Sequence, residues 1–124
     1  MNNLYLTRIK NTDGGVLNML METSIILFIV SVLFKLFKPR KRNSLYGYRT
    51  RLSKSSQFNW DEAQSYSSTI FIIVSIILFV FAIIFRFIRF PYELVVTLVL
   101  ILGGLLSIFI CTEQHLKKLK DNQE

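Results

Sequence analysis

Two long uncharged runs constrain what this chain can fold into. Ala63 to Phe85 is 23 residues and Leu94 to Thr112 is 19, and neither holds a formal charge. At about 1.5 Å of rise per helical residue the longer run covers roughly 34 Å, against a bilayer core of about 30 Å. A soluble bundle would need a polar face on each helix, and Ile70 to Phe85 interrupts its apolar residues only at Ser75. A third run, at about 16–37, contains Glu22 and Lys35 but is unbroken from Thr23 to Phe34. Both charges stand near its ends, where a side chain can snorkel to the headgroups. The runs predict an all-α integral membrane protein with three transmembrane helices, at about 16–37, 64–85 and 94–112. The strong basic cluster Lys38-Pro39-Arg40-Lys41-Arg42 follows the first run, as in a retained anchor; a cleaved signal peptide carries its charge in front.

With three spans, the loop between the first two and the C-terminal tail share one side of the membrane. That side carries Lys35, Lys38, Arg40, Lys41, Arg42, Arg49, Arg51, Lys54, Lys117, Lys118 and Lys120, eleven in all. The other side carries Arg8, Lys10, Arg86 and Arg89. The positive-inside rule therefore predicts a cytoplasmic loop and C-terminus and an external N-terminus. Topology and anionic inner-leaflet lipid, at about 1 kcal/mol per basic residue near the surface, explain the net charge of +7. Nucleic-acid binding is not needed to explain it.

Residues 1–15 are polar and end in Asp13-Gly14-Gly15, so a tail without stable structure is expected before a membrane domain at 16–120 and a short end at 121–124. Within the spans, small residues recur at helical spacing. Ser24 and Ser31 form one series, and Ser68, Ser75 and Ala82 another. In the third span Thr97, Gly104, Ser107 and Cys111 share a face, and Gly103 to Ser107 is a small-xxx-small pair. Such stripes let helix backbones approach in lipid, so they predict the seams of a three-helix bundle. The short Arg86 to Glu93 connection, with Arg89, Pro91 and Tyr92, reads as a tight external hairpin. No proline or glycine follows Leu105, so the third helix is expected to run to about Leu119, with Leu116 and Leu119 as a narrow apolar edge.

Little suggests catalysis. The carboxylates Asp13, Glu22, Asp61, Glu62, Glu93, Glu113, Asp121 and Glu124 avoid the middles of the spans, where an ion carrier would place one. No nucleophile motif, phosphate-binding glycine loop or metal-ligand spacing is present. The single cysteine, Cys111, reads as a packing residue and the single histidine, His115, as incidental. Neither an enzymatic activity nor a cofactor or metal is expected.

The distinctive chemistry lies between the first two spans, in Tyr46-Gly47-Tyr48-Arg49-Thr50 and, further on, Trp60 and Ala63. Gly47 allows a positive φ. Arg49 can stack on a ring or pair with Asp61 or Glu62. Asn59 suits the N-cap of a helix starting at Trp60. An interfacial belt would use the same residue types, but their order, with one span before and two after, resembles the SdpI family of bacterial membrane proteins. The tail Thr112-Glu113-Gln114-His115-Leu116-Lys117-Lys118 is similar to that family's cytoplasmic end. The resemblance implies a multi-pass protein of the bacterial cytoplasmic membrane that gives immunity to a secreted toxin peptide. In the family's namesake a signalling role, holding a cytoplasmic repressor at the membrane, accompanies it. Beside that namesake this chain is shorter. The family-marking positions carried over are Tyr46, Gly47, Tyr48, Arg49, Thr50, Trp60 and Ala63. A small membrane-complex subunit or assembly factor, or a holin-like pore former, would share the three-span layout.

Overall fold

The computed structural model describes residues 2–88 and 92–123, with 2, 5–18 and 93 described by backbone alone. Three helices follow in order: α1 (Asn2–Leu36), α2 (Gln57–Phe87) and α3 (Glu93–Asp121). Each is long and apolar enough to cross a membrane, α1 through Met19–Leu36. No strand is present among the described residues.

Helix ends follow from local chemistry. α1 stops shortly before Pro39, whose ring disfavours helical backbone in the residue ahead of it, and Lys35 complements the dipole in the last turn. α2 starts earlier than Asn59 would place it. Ser56 is the N-cap, and its hydroxyl accepts from the Asn59 backbone N–H at 3.0 Å. The Asn59 amide is occupied elsewhere, donating to Ser55 Oγ at 2.7 Å. α3 continues past the apolar run to Asp121, two residues beyond the expected end.

The first helix also runs further than the sequence suggests. Residues 2–15, expected to lack stable structure, extend α1 back to Asn2. Gly14 and Gly15 each cost about 1 kcal/mol within a helix. No proline precedes Pro39, however, so every N–H in that stretch can join the ladder. In the α2–α3 connection, Arg89 and Pro91 lie outside the described residues. Tyr92 caps α3 in a left-handed conformation, φ 72°, with its side chain exposed.

The packing has the polarity of a protein in lipid. Ser24, Ser31, Ser68, Ser75 and Thr97 are buried, while Ile26, Ile76, Val99, Leu102 and Leu106 are exposed. In water this arrangement would leave the apolar surface uncovered; in a bilayer it puts large side chains on lipid and small ones in the seams. These four buried serines are satisfied within their own helices. Ser24 donates to the Met21 carbonyl at 2.8 Å, Ser31 to Phe28 at 2.7 Å, Ser68 to Ser65 at 2.9 Å and Ser75 to Ile72 at 2.8 Å.

α2 is the central helix, packing extensively on α1 and on α3, while α1 and α3 touch only slightly. On α3 the close approach is made by Gly104, where a Cβ would lie 2.8 Å from Val74 Cγ1. At Gly103, the glycine of the Gly103–Ser107 pair, a Cβ would meet nothing within 4 Å.

Candidate functional site: a loop fastened to two helices

The twenty residues from 37 to 56 form an irregular loop whose backbone α2 holds through four side chains, Asn59 among them by a long 3.4 Å bond to the Leu52 carbonyl. Trp60 is fully buried, and its indole Nε1 donates to the Pro39 carbonyl at 2.8 Å. Gln57 Nε2 donates to the Arg40 carbonyl at 2.7 Å. Gln64, also fully buried, accepts from the Tyr48 N–H and donates to the Tyr48 carbonyl, both at 2.8 Å. This pair imitates one rung of a β-ladder, with a side-chain amide standing in for a second strand. It also fixes the amide's orientation, since the flipped form would set donor against donor. Trp60, Ala63, Gln64 and Ser67 recur at helical spacing, so one buried face of α2 carries the buried part of the attachment, while Gln57 adds an exposed bond.

Gly47 makes that approach possible. Its φ is +107°, and a Cβ there would lie 2.7 Å from Gln64 Oε1 and 2.8 Å from Pro39 Cγ. Upstream, Asn43 Oδ1 accepts from the backbone N–H groups of Leu45 and Tyr46, both at 3.0 Å, which turns the chain into the motif. Downstream, Thr50 and Ser53 cap each other. The Thr50 N–H donates to Ser53 Oγ at 2.8 Å and the Ser53 N–H to Thr50 Oγ1 at 3.2 Å, closing a single turn.

α3 holds the other side of the loop. The Tyr48 hydroxyl donates to Glu113 Oε1 at 3.0 Å, with the Phe109 carbonyl at 3.2 Å as a second acceptor. Burial first, and then the hydrogen bond and charge of Glu113, push the Tyr48 phenol well above its ordinary value. A phenol whose pKa is raised on folding contributes stability that is complete below the ordinary value of about 10 and is lost as pH climbs through the raised one. Tyr48 is therefore expected to stay un-ionised after a free phenol has titrated. The tyrosinate absorbance of wild type minus that of Tyr48→Phe isolates this group; a midpoint near that of free tyrosine would contradict the buried pairing.

A second link joins α2 to α3 on the same side. His115 Nε2 lies 3.3 Å from Glu62 Oε2, and its ring stacks on Tyr66 with centroids 4.1 Å apart and planes within 4°. His115 is thus placed between two α2 residues, not left as an incidental surface group.

The seven sequence-derived positions divide into two sets. Gly47, Tyr48, Thr50, Trp60 and Ala63 lie within the attachment. Arg49 faces outward, and Tyr46 is 52% exposed with its hydroxyl donating to the Phe37 carbonyl at 3.3 Å. The Arg49 guanidinium donates to the Ser44 carbonyl and so braces the turn; it does not meet Asp61 or Glu62. Sequence reasoning missed Gln64, Ser53, Glu113 and Tyr66. Two of these carried a signal: Gln64 is a polar residue one turn after Trp60, on the face that Trp60 and Ala63 define, and Glu113 stands in the family-like tail.

A model of the SdpI/YfhL protein family matches residues 40–112, from the loop to the last apolar turn of α3. A protein of Bacillus subtilis (strain 168), described as uncharacterized protein YfhL, is 33% identical over 98 residues, covering 79% of this chain and 86% of the relative. No solved structure matches.

Proposed function

The chain belongs to the SdpI/YfhL family, and on that premise we propose that it is a non-enzymatic immunity protein that protects its cell from a secreted membrane-active peptide. On this reading it sits in the bacterial cytoplasmic membrane with its N-terminus outside and the fastened loop and C-terminal end inside. The observation that carries the reading is how the motif residues are used. They bind backbone carbonyls, an amide, an aromatic ring and the Glu113 carboxylate, contacts that fasten the loop to α2 and α3.

The peptide would meet the bundle within the bilayer. An apolar cavity of about 290 Å³ between α1 and α2, bounded by Ser24, Phe28, Ser75 and Phe79, offers it a seat. Because one loop ties α2 to α3 and follows directly from α1, a change in helix spacing would reach the outward face at Tyr46 and Arg49. That face would serve a cytoplasmic repressor where signalling accompanies immunity.

Expression in a peptide-sensitive strain, with membrane abundance measured, tests the proposal. Wild type should raise the tolerated peptide concentration, and Arg49→Ala should lose that protection at unchanged abundance. Unaltered sensitivity with abundant wild-type protein, across candidate antimicrobial peptides, overturns the immunity reading. Capture of a stoichiometric membrane partner under the same conditions would instead favour a complex subunit, for which Tyr46 and Arg49 are the docking face.

A further inference from the structure

The strongest unassigned feature is a cavity of about 630 Å³ between the loop and the end of α3, within the roughly 300–1,000 Å³ range of small-molecule sites. One wall is the α3 stripe Phe109, Glu113, Lys117 and Lys120, residues three or four apart and so on one helix face. The other is the loop segment from Thr50 to Ser55, including Arg51 and Leu52. From this geometry we propose that the cavity binds the phosphodiester of an anionic phospholipid, with Arg51, Lys117 and Lys120 on the phosphate and an acyl chain along Phe109.

The position along α3 suits an amphiphile. Phe109 lies in the last turn of the uncharged run, which ends at Thr112, and Lys117 follows eight residues later. At about 1.5 Å per residue the two are roughly 12 Å apart along the axis, enough to lead from acyl chain through a headgroup layer about 5–8 Å deep. The apolar end of the cavity therefore meets hydrocarbon and the cationic end meets the phosphate plane.

Charge complementarity selects the ligand. Among the described residues, no carboxylate lies within ion-pair distance of Arg51, Lys117 or Lys120. Two carboxylates also line the cavity. Glu113 is held by the Tyr48 hydroxyl, and Asp121 stands at the outer end of α3, beyond the lysines. Three cations against two acids leave a net positive site, and Arg51 supplies a planar fork suited to phosphate oxygens. This goes beyond the general attraction of a basic surface for anionic lipid, because it assigns the contact to three particular side chains and predicts that other lysines are dispensable. It does not depend on toxin protection.

The test titrates phosphatidylglycerol into the full-length protein in non-ionic detergent and counts retained lipid by native mass spectrometry. Three proteins are compared: wild type, Lys117→Gln/Lys120→Gln, and Lys41→Gln/Lys118→Gln, which removes equal charge outside the cavity. Wild type should retain discrete lipid, the cavity pair should weaken retention roughly 30-fold, and the control pair should resemble wild type. Equal losses in both pairs would show a diffuse basic surface and overturn the proposal. So would equal retention of phosphatidylcholine, or displacement of the lipid by millimolar inorganic phosphate alone, which would mark a free-phosphate site. Comparable elution and comparable trypsin nicking at the loop arginines in the three proteins exclude a folding defect. If the cavity pair misfolds, Arg51→Gln read against Lys54→Gln makes the same comparison on the loop side.

Discussion

Trp60→Ala is expected to release the loop. The indole is fully buried and its N–H satisfies the Pro39 carbonyl, so truncation removes packing and leaves that carbonyl without its donor. Large-to-small changes at buried tryptophan cost about 3–5 kcal/mol. Helicity would report this poorly, because helices in detergent or lipid keep their internal hydrogen bonds when tertiary contacts fail. Trypsin is a better probe, since Arg40, Arg42, Arg49, Arg51 and Lys54 all lie exposed on the loop. Where cleavage follows the population of an open loop, a loss of about 3 kcal/mol raises the nicking rate roughly a hundredfold. Trp60→Phe separates the two contributions: it keeps most of the packing and loses only the donor, so it should fall between wild type and Trp60→Ala. Nicking of Trp60→Ala at the wild-type rate would mean that Gln57 and Gln64 hold the loop without the indole.

What the sequence made legible was whatever depends on the local chain. The three spans follow from uncharged length, and the seams from small residues every seven positions. Ser24, Ser31, Ser68, Ser75 and Ala82 are all buried as that spacing predicts. Local signals misled where two local rules competed. Asp13-Gly14-Gly15 has the composition of a turn, yet its backbone stays in α1; Ser56 took the cap that Asn59 also suits. Gly103 and Gly104 are adjacent, and only the packing of α3 on α2 decides which glycine faces Val74.

The contacts that define the candidate site are the least local. His115 looked incidental because Glu62 is 53 positions away, and Tyr48 meets Glu113 across 65. Gln64 is an ordinary glutamine until the loop brings Tyr48 to it. The family-marking residues could therefore be located as a set from their order, while their division into an inward group and the outward Tyr46 and Arg49 required the fold. That division changes how variants should be read. Changes in the inward group are expected to loosen the loop first and alter function as a consequence, whereas Arg49→Ala removes an exposed charge together with its brace on Ser44, so trypsin nicking of the loop is read beside protection.

Gly47→Ala is the most economical test of the inward group, because one methyl opposes two features at once. At φ +107° an L-residue is strained by about 1–3 kcal/mol. The new Cβ would also lie 2.7 Å from Gln64 Oε1, so the amide must shift and give up a bond to Tyr48. Leaving one of those buried backbone groups unpaired costs about 1–3 kcal/mol more. The expected destabilisation is therefore about 2–6 kcal/mol, read as faster nicking of the loop by trypsin. A double-mutant cycle with Gln64→Ala assigns the contributions. With the amide gone, Gly47→Ala should retain its backbone strain and its contact with Pro39 but lose the Gln64 conflict, so the two changes together should cost less than their sum. Strict additivity would mean that Gly47 and Gln64 act independently, and that the glycine is required only for its backbone conformation.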